Sequence, residues 1–172
     1  MDIKKELEKG HSKALTDKIV RYVGDDQTRF NKLMETFLSG PQRITQRAAW
    51  PLSYCVNDHP FLIGRHYPAV LKILMKPGVH DAVKRNIVRL LQFVAIPKRY
   101  QGRVIEACFK LMDPKEAIAI RAFSMTVLAN LATEYPDLKK ELRLVIEEQL
   151  PYGSAGYLSR AKKILGQLEK LS

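Results

Sequence analysis

Apolar residues recur along this chain at the spacing of helices. Val83, Ile87, Leu90, Leu91 and Val94 share one helical face, and Phe30, Leu33 and Phe37 share another. No stretch alternates apolar and polar residues with period two, so the pattern predicts no strands. Residues 12–23 read as a helix with Ala14, Leu15, Ile19, Val20 and Val23 on its apolar side, preceded by a charged helical turn over residues 2–9. The stretch from about 114 to 135 is apolar nearly all round (Ile118, Ile120, Phe123, Met125, Val127 and Leu128). Such a helix is expected between neighbours, with Phe123 buried. The last helix, about 154–171, is predicted to turn Leu158, Ala161, Ile164, Leu165, Leu168 and Leu171 inward and its lysines outward.

The punctuation between these segments is regular. Ser39-Gly40-Pro41, Lys76-Pro77-Gly78, Asp113-Pro114 and Pro151-Tyr152-Gly153 interrupt the chain within units, and Pro60, Pro97 and Pro136 interrupt it between them. Arginines recur at Arg47, Arg85, Arg121 and Arg160, in steps of 38, 36 and 39 residues. Each lies early in the second helix of a predicted pair and is followed by small or apolar residues. A period of this length, split into two helices by a short turn, is the signature of a helical-hairpin repeat.

On these arginines and this period, the sequence resembles HEAT-repeat proteins over nearly its whole length. It resembles a small bacterial family of HEAT-like proteins and, distantly, the alkylpurine DNA glycosylases built from HEAT-like repeats. The resemblance implies an all-α fold, a right-handed α-α superhelix of about four hairpins with an N-terminal helical cap. A single domain is expected, with the cap at 1–25 and repeats at about 26–59, 60–97, 98–135 and 136–172. One feature departs from the family pattern, in which an Asp about six residues before the arginine often joins it in a ladder. Pro41, Val79, Lys115 and Ser154 stand there instead, with Asp81 and Glu116 the nearest acids in the middle repeats.

Composition adds a charge argument. The chain carries 29 Lys+Arg against 18 Asp+Glu, a net charge of +11. Between Arg65 and Arg103 there are nine basic residues and one acid, Asp81. Such an excess suits an acidic protein or nucleic acid as partner, and equally a solvated surface. Arg85, Arg89 and Gln92 lie opposite the core face of their helix, and Arg47, Trp50 and Tyr54 share one side of theirs. The resemblance puts second helices on the concave surface of the solenoid. The candidate binding groove is therefore Arg47, Trp50, Tyr54, Arg85, Arg89, Gln92 and Arg121. Trp, Tyr and Arg are the residue types of interface hot spots and of base-stacking platforms. The competing expectation is packing, with Trp50 against a neighbouring element and the arginines bonded to carbonyls of adjacent repeats.

Catalytic signals are sparse. His11, His59, His66 and His80 lack metal-ligand spacing, and no Gly-rich phosphate loop, nucleophile elbow or paired-carboxylate motif occurs. The Gly-Ser-Ser-x-Met-Pro signature of the adenylosuccinate lyase superfamily is absent too. Glycosylase chemistry of the HEAT-like type would need an acid beside aromatics, for which Asp81 with Trp50 and Tyr54 is the candidate set. Cys55 and Cys108 fall in apolar patterns and read as reduced core residues. No apolar run reaches the roughly 20 residues of a membrane span, and the charged N-terminus lacks a signal-peptide core. The expectation is a cytoplasmic, non-catalytic scaffold without cofactor or metal, bound by a protein partner in the groove. A nucleic-acid-binding module is the alternative.

Overall fold

The computed structural model describes residues 1–171, and among these it contains helices and no strands. The chain divides into two compact units, Met1–Ala95 and Ile96–Ser172. The first holds α1 (Ile3–Glu8), α2 (Lys13–Val23), α3 (Gln27–Ser39), α4 (Gln42–Asp58), a 3-10 helix (Pro60–His66), α5 (Tyr67–Leu74) and α6 (Asp81–Leu91). The second holds α7 (Lys98–Lys110), α8 (Ile118–Leu131), α9 (Pro136–Gln149), a 3-10 turn (Leu150–Tyr152) and α10 (Ala155–Glu169). The fold class is an all-α solenoid of stacked helical hairpins.

Helix starts follow local chemistry. Asp2, Ser12, Asp26 and Ser154 are N-caps whose side chains accept backbone N–H bonds from the first turn of α1, α2, α3 and α10. Pro41 and Pro97 immediately precede α4 and α7, and Pro136 opens α9, positions at which a missing N–H costs nothing. Gly24, at φ 51°, ends α2 in a conformation that side chains rarely adopt. Gly40 closes the turn from α3 to α4 so tightly that a Cβ would stand 2.6 Å from the Thr36 carbonyl oxygen.

In the first unit α4 is the centre, packing against α1, α2, α3, the 3-10 helix and α6. Its inward residues Ile44, Ala48, Ala49, Leu52, Cys55 and Val56 are buried. Phe30, Leu33 and Phe37 from α3 and Val83, Ile87, Leu90 and Leu91 from α6 close around it. One polar contact joins α4 and α6 in this core: the Ser53 hydroxyl, shared between the Trp50 carbonyl at 2.8 Å and Asn86 Oδ1 at 3.2 Å, meets an amide whose Nδ2 donates to the Ala82 carbonyl. Both side chains are buried, so the pairing removes the cost of an unsatisfied amide. α1 is fixed by buried Ile3 and Leu7 and by Arg47, whose Nη1 donates to the carbonyls of Leu7 (2.7 Å) and Glu8 (3.1 Å). These are carbonyls at the C-terminal end of α1, where a cation also meets the negative end of the helix dipole.

In the second unit α8 is the centre, touching α7, α9 and α10. It is shorter than its apolar run suggested, because residues 111–116 and 132–134 form turns. Phe123 is half-buried, contrary to the expectation of full burial, and the Arg160 guanidinium lies 5.7 Å from its ring centroid. Ile118 is exposed, while Ile120, Met125, Val127 and Leu128 form the buried set. In α10 the inward aromatic is Tyr157, and Leu158, expected inside, is exposed. Ala14 is likewise exposed in α2, where Thr16 takes a buried position. Cys55 and Cys108 are free, buried thiols whose pKa values burial pushes up to about 12.

The contrast between the two phenylalanines is measurable. Phe37→Ala should cost about 3–5 kcal/mol in a urea melt followed by circular dichroism, as for a large side chain removed from a closed core. Phe123→Ala should cost clearly less, because its site is already open to solvent. Equal losses would mean that α8 is packed more tightly than described.

The arginine contact at α1 makes a second prediction. Arg47→Ala leaves two helix-end carbonyls without their donor and should lower stability by about 1–3 kcal/mol. Hydrogen exchange at the α1 amides should accelerate in the same variant. Arg85→Ala, at an exposed position, should change stability by no more than about 0.5 kcal/mol. Unchanged exchange in α1 would show that Ile3 and Leu7 hold the helix without Arg47.

Candidate functional site

The outer side of α4 carries Arg47, Trp50 and Tyr54 in a row, because residues three and four apart share a helix face. Pro51 lies among them, and α4 continues through it as one helix. Pro51 offers no N–H to the Arg47 carbonyl one turn back. The parallel row on α6 is Arg85, Arg89 and Gln92, the last at the helix C-cap. All six lie in the first unit.

The N-terminal segment runs along the α4 row. Leu7 and Glu8 take the Arg47 guanidinium through their carbonyls. The His11 ring lies 4.9 Å from Trp50, centroid to centroid, and Trp50 in turn lies 6.5 Å from Tyr54. The Lys13 ammonium stands 5.2 Å from the centre of the Tyr54 ring. Each of the three α4 residues is therefore covered in part from α1, α2 or the turn between them, and each is half-buried. Nothing in the sequence pattern points to His11 and Lys13 as members of this cluster. They come from a turn and the start of a helix some 40 residues upstream.

Tyr54 joins the two rows. The Arg89 guanidinium carbon lies 4.4 Å from its ring centroid, so the ring has cations from both α2 and α6 against it. Cation–π contacts of this kind hold a guanidinium without neutralising it. The pull of Arg89 on the phenol oxygen holds the Tyr54 pKa below the usual tyrosine value, against the opposing effect of partial burial. Gln92 Nε2 donates to the Arg89 carbonyl, closing the end of α6. Arg85 is exposed. Lys13 has a salt bridge to Asp17, whereas among the described residues no carboxylate pairs with Arg85 or Arg89.

Arg121 belongs to the second unit and has different surroundings. It is buried at 8% exposure in α8, with Nη2 2.5 Å from Gln149 Oε1 and its guanidinium carbon 4.3 Å from the Tyr157 ring centroid. Gln149 Nε2 in turn donates to the Met112 carbonyl. Arg160, the last of the recurring arginines, donates to Thr126 Oγ1 at 2.6 Å and to the Ala122 carbonyl at 3.4 Å. In this unit the recurring arginines hold elements together, as Arg47 does in the first. Arg85 stands apart among the four as exposed to solvent.

Asp81 lies on the first turn of α6, bridged to Lys84 at 3.7 Å, and its side chain is mostly exposed. Among the described residues, the ring contacts of Trp50 and Tyr54 are with each other and with His11, Lys13 and Arg89. Among the described residues no His, Cys, Asp and Glu side chains gather in a group that could hold a metal ion. No helix of the described residues is long and apolar enough to cross a membrane.

No curated protein and no solved structure matches this sequence. A family model, described as the HEAT repeat domain, matches residues 3–168. Repeats of this kind generally serve as scaffolds for protein interaction and are typically non-catalytic. The match runs from α1 into α10, through both units, and the chain belongs to the HEAT repeat domain family.

Proposed function

We propose that the protein is a non-catalytic scaffold that takes an acidic segment of a partner protein on the basic and aromatic face of α4 and α6. The observation that carries this reading is Tyr54 with Lys13 and Arg89 both against its ring, beside an exposed Arg85. Three cations converge there, and only Lys13 has a carboxylate partner among the described residues. Carboxylates on a partner would pair with Arg85 and Arg89 through charge-assisted bonds, while the Tyr54 ring supplies contact area. Trp50 and Arg47 support the face from beneath, engaged as they are by His11 and by the carbonyls of α1. Arg121 falls outside the site in this reading, because its guanidinium is buried and already bonded.

Nucleic acid is the second reading, since phosphates satisfy the same cations. Base excision has less support than either. Asp81, the acid it would require, is mostly exposed and paired with Lys84, whereas the ring partners of Trp50 and Tyr54 among the described residues are His11, Lys13 and Arg89.

Fluorescence anisotropy with two probes of equal charge, a labelled glutamate-rich peptide and a labelled single-stranded oligonucleotide, separates these readings. The peptide is expected to bind, and Arg85→Glu with Arg89→Glu to weaken it by about tenfold or more with the helical circular dichroism spectrum retained. Tighter binding of the oligonucleotide, falling steeply with salt as phosphate contacts release counterions, would replace the protein partner with nucleic acid. Indifference of both probes to the double substitution would remove the site.

A further inference from the structure

A second surface of the first unit has its own chemistry, remote in sequence from the Tyr54 cluster. It is an open groove of about 320 Å³ where the α3–α4 turn meets the α5–α6 turn. Phe37 and Val83, both buried, form its floor. Leu38, 45% exposed, and the half-exposed Ile73 and Val79 form its walls. Together these three aliphatic side chains line one depression, wide enough for a single aliphatic side chain and small beside the apolar patches of an ordinary surface.

The polar lining is one-sided. Its charged or titratable members are Lys76 and His80, and no carboxylate lines the groove. Lys76 has no acidic partner among the described residues, and the nearby Asp81 is taken by Lys84 at 3.7 Å. His80 caps α6 by accepting the Ala82 N–H at Nδ1, 3.1 Å away, which leaves the proton of the neutral ring on Nε2 as a donor. Thr45 is spent on the Phe37 and Gly40 carbonyls. The amides of Gln42 and Gln46 are bonded to no described residue.

Those two glutamines lie one turn apart on α4, about 5–6 Å between Cβ atoms. Alternate residues of an extended chain repeat every ~6.6 Å. The two amides therefore match the main-chain groups of an extended peptide lying along α4, each able to donate and accept. The apolar walls then take an aliphatic side chain, and Lys76 with His80 takes an acidic one beside it.

We propose that this groove is a docking site for an extended peptide segment of a partner protein, one carrying a bulky aliphatic residue next to an acidic residue. It is independent of the Tyr54 face: α4 contributes its first turns here and its middle there, and no lining residue is shared.

The test is a titration of the ¹⁵N-labelled protein with an eight-residue synthetic peptide containing Leu-Asp-Leu-Glu in a Gly/Ser frame, followed by NMR. Side-chain amide signals of Gln42 and Gln46 and backbone amides of Ile73 and Val79 are expected to shift. Replacing the peptide's acids with lysine should weaken binding by about tenfold, and Lys76→Glu should reverse that preference. Ile73→Asp should weaken binding of the acidic peptide by a similar factor, and the spectrum of the free variant reports whether it folds. Arg85→Glu with Arg89→Glu should leave all of these shifts unchanged, so failure at one surface is distinguishable from failure at the other. No shift at these four residues up to about 1 mM peptide would overturn the proposal. So would shifts centred on Tyr54 and Arg89, or equal binding of the lysine peptide.

Discussion

Both units rest on the packing of one second helix against the next. In the first unit the inner side of α4 meets α6, and in the second α8 meets α10. None of these helices exceeds 17 residues, and isolated helices of that length are marginal in water. A single hairpin buries one stripe of each helix and leaves the other side of its second helix bare. Stacking supplies the missing partner, so the stability of each hairpin is tied to its neighbour. The tight turn at Gly40 and the Ser53–Asn86 link both serve this arrangement, one by setting how α4 leaves α3 and the other by joining α4 to α6 inside the core.

Most of that architecture is legible in the sequence. N-caps such as Asp2, Ser12 and Asp26, the prolines at helix starts and the amphipathic stripe of α6 each carry local information that the fold obeys. The pattern fails where amphipathicity fades. α8 is apolar on every side, so nothing in its residues alone tells buried Met125 from half-buried Phe123. At the start of α10, Tyr157 and Leu158 are adjacent and both apolar, so the pattern alone does not tell which of them is buried, and the structure buries Tyr157. A Cβ on Gly153 would stand 2.8 Å from the Tyr157 ring and 3.0 Å from Leu158, so both side chains fold closely over the turn.

The candidate site is legible only in part, for a different reason. A helical wheel shows which side chains leave the core but not what lies over them. Arg47 and Trp50 leave the core of α4 as their spacing implies, and then meet the α1 carbonyls and His11. Arg121 sits in a helix whose apolar neighbours gave no polar face to assign it to, and its partners, Gln149 and Tyr157, come from elements 28 and 36 residues later. Long-range partners of this kind leave no local periodicity. Arg85 is readable because an exposed residue on a strongly amphipathic helix needs no partner to define its position, whereas half-buried Arg89 owes its setting to Tyr54 on α4.

Arg47 reaches a carbonyl 40 residues back and Arg160 one 38 residues back, distances close to one full repeat. At Arg47 the acceptors, Leu7 and Glu8, offer only main-chain oxygens. That contact senses the path of α1 and is blind to the identity of its side chains, so residues at the two receiving positions can change while the bond persists, provided a helix still ends there. Arg160 is more exacting: it also takes the Thr126 hydroxyl, at 2.6 Å, and lies near the Phe123 ring, so its junction constrains the side chains of α8 as well as their path. Drift in sequence is therefore tolerated unequally along the chain, freely beneath Arg47 and narrowly beneath Arg160.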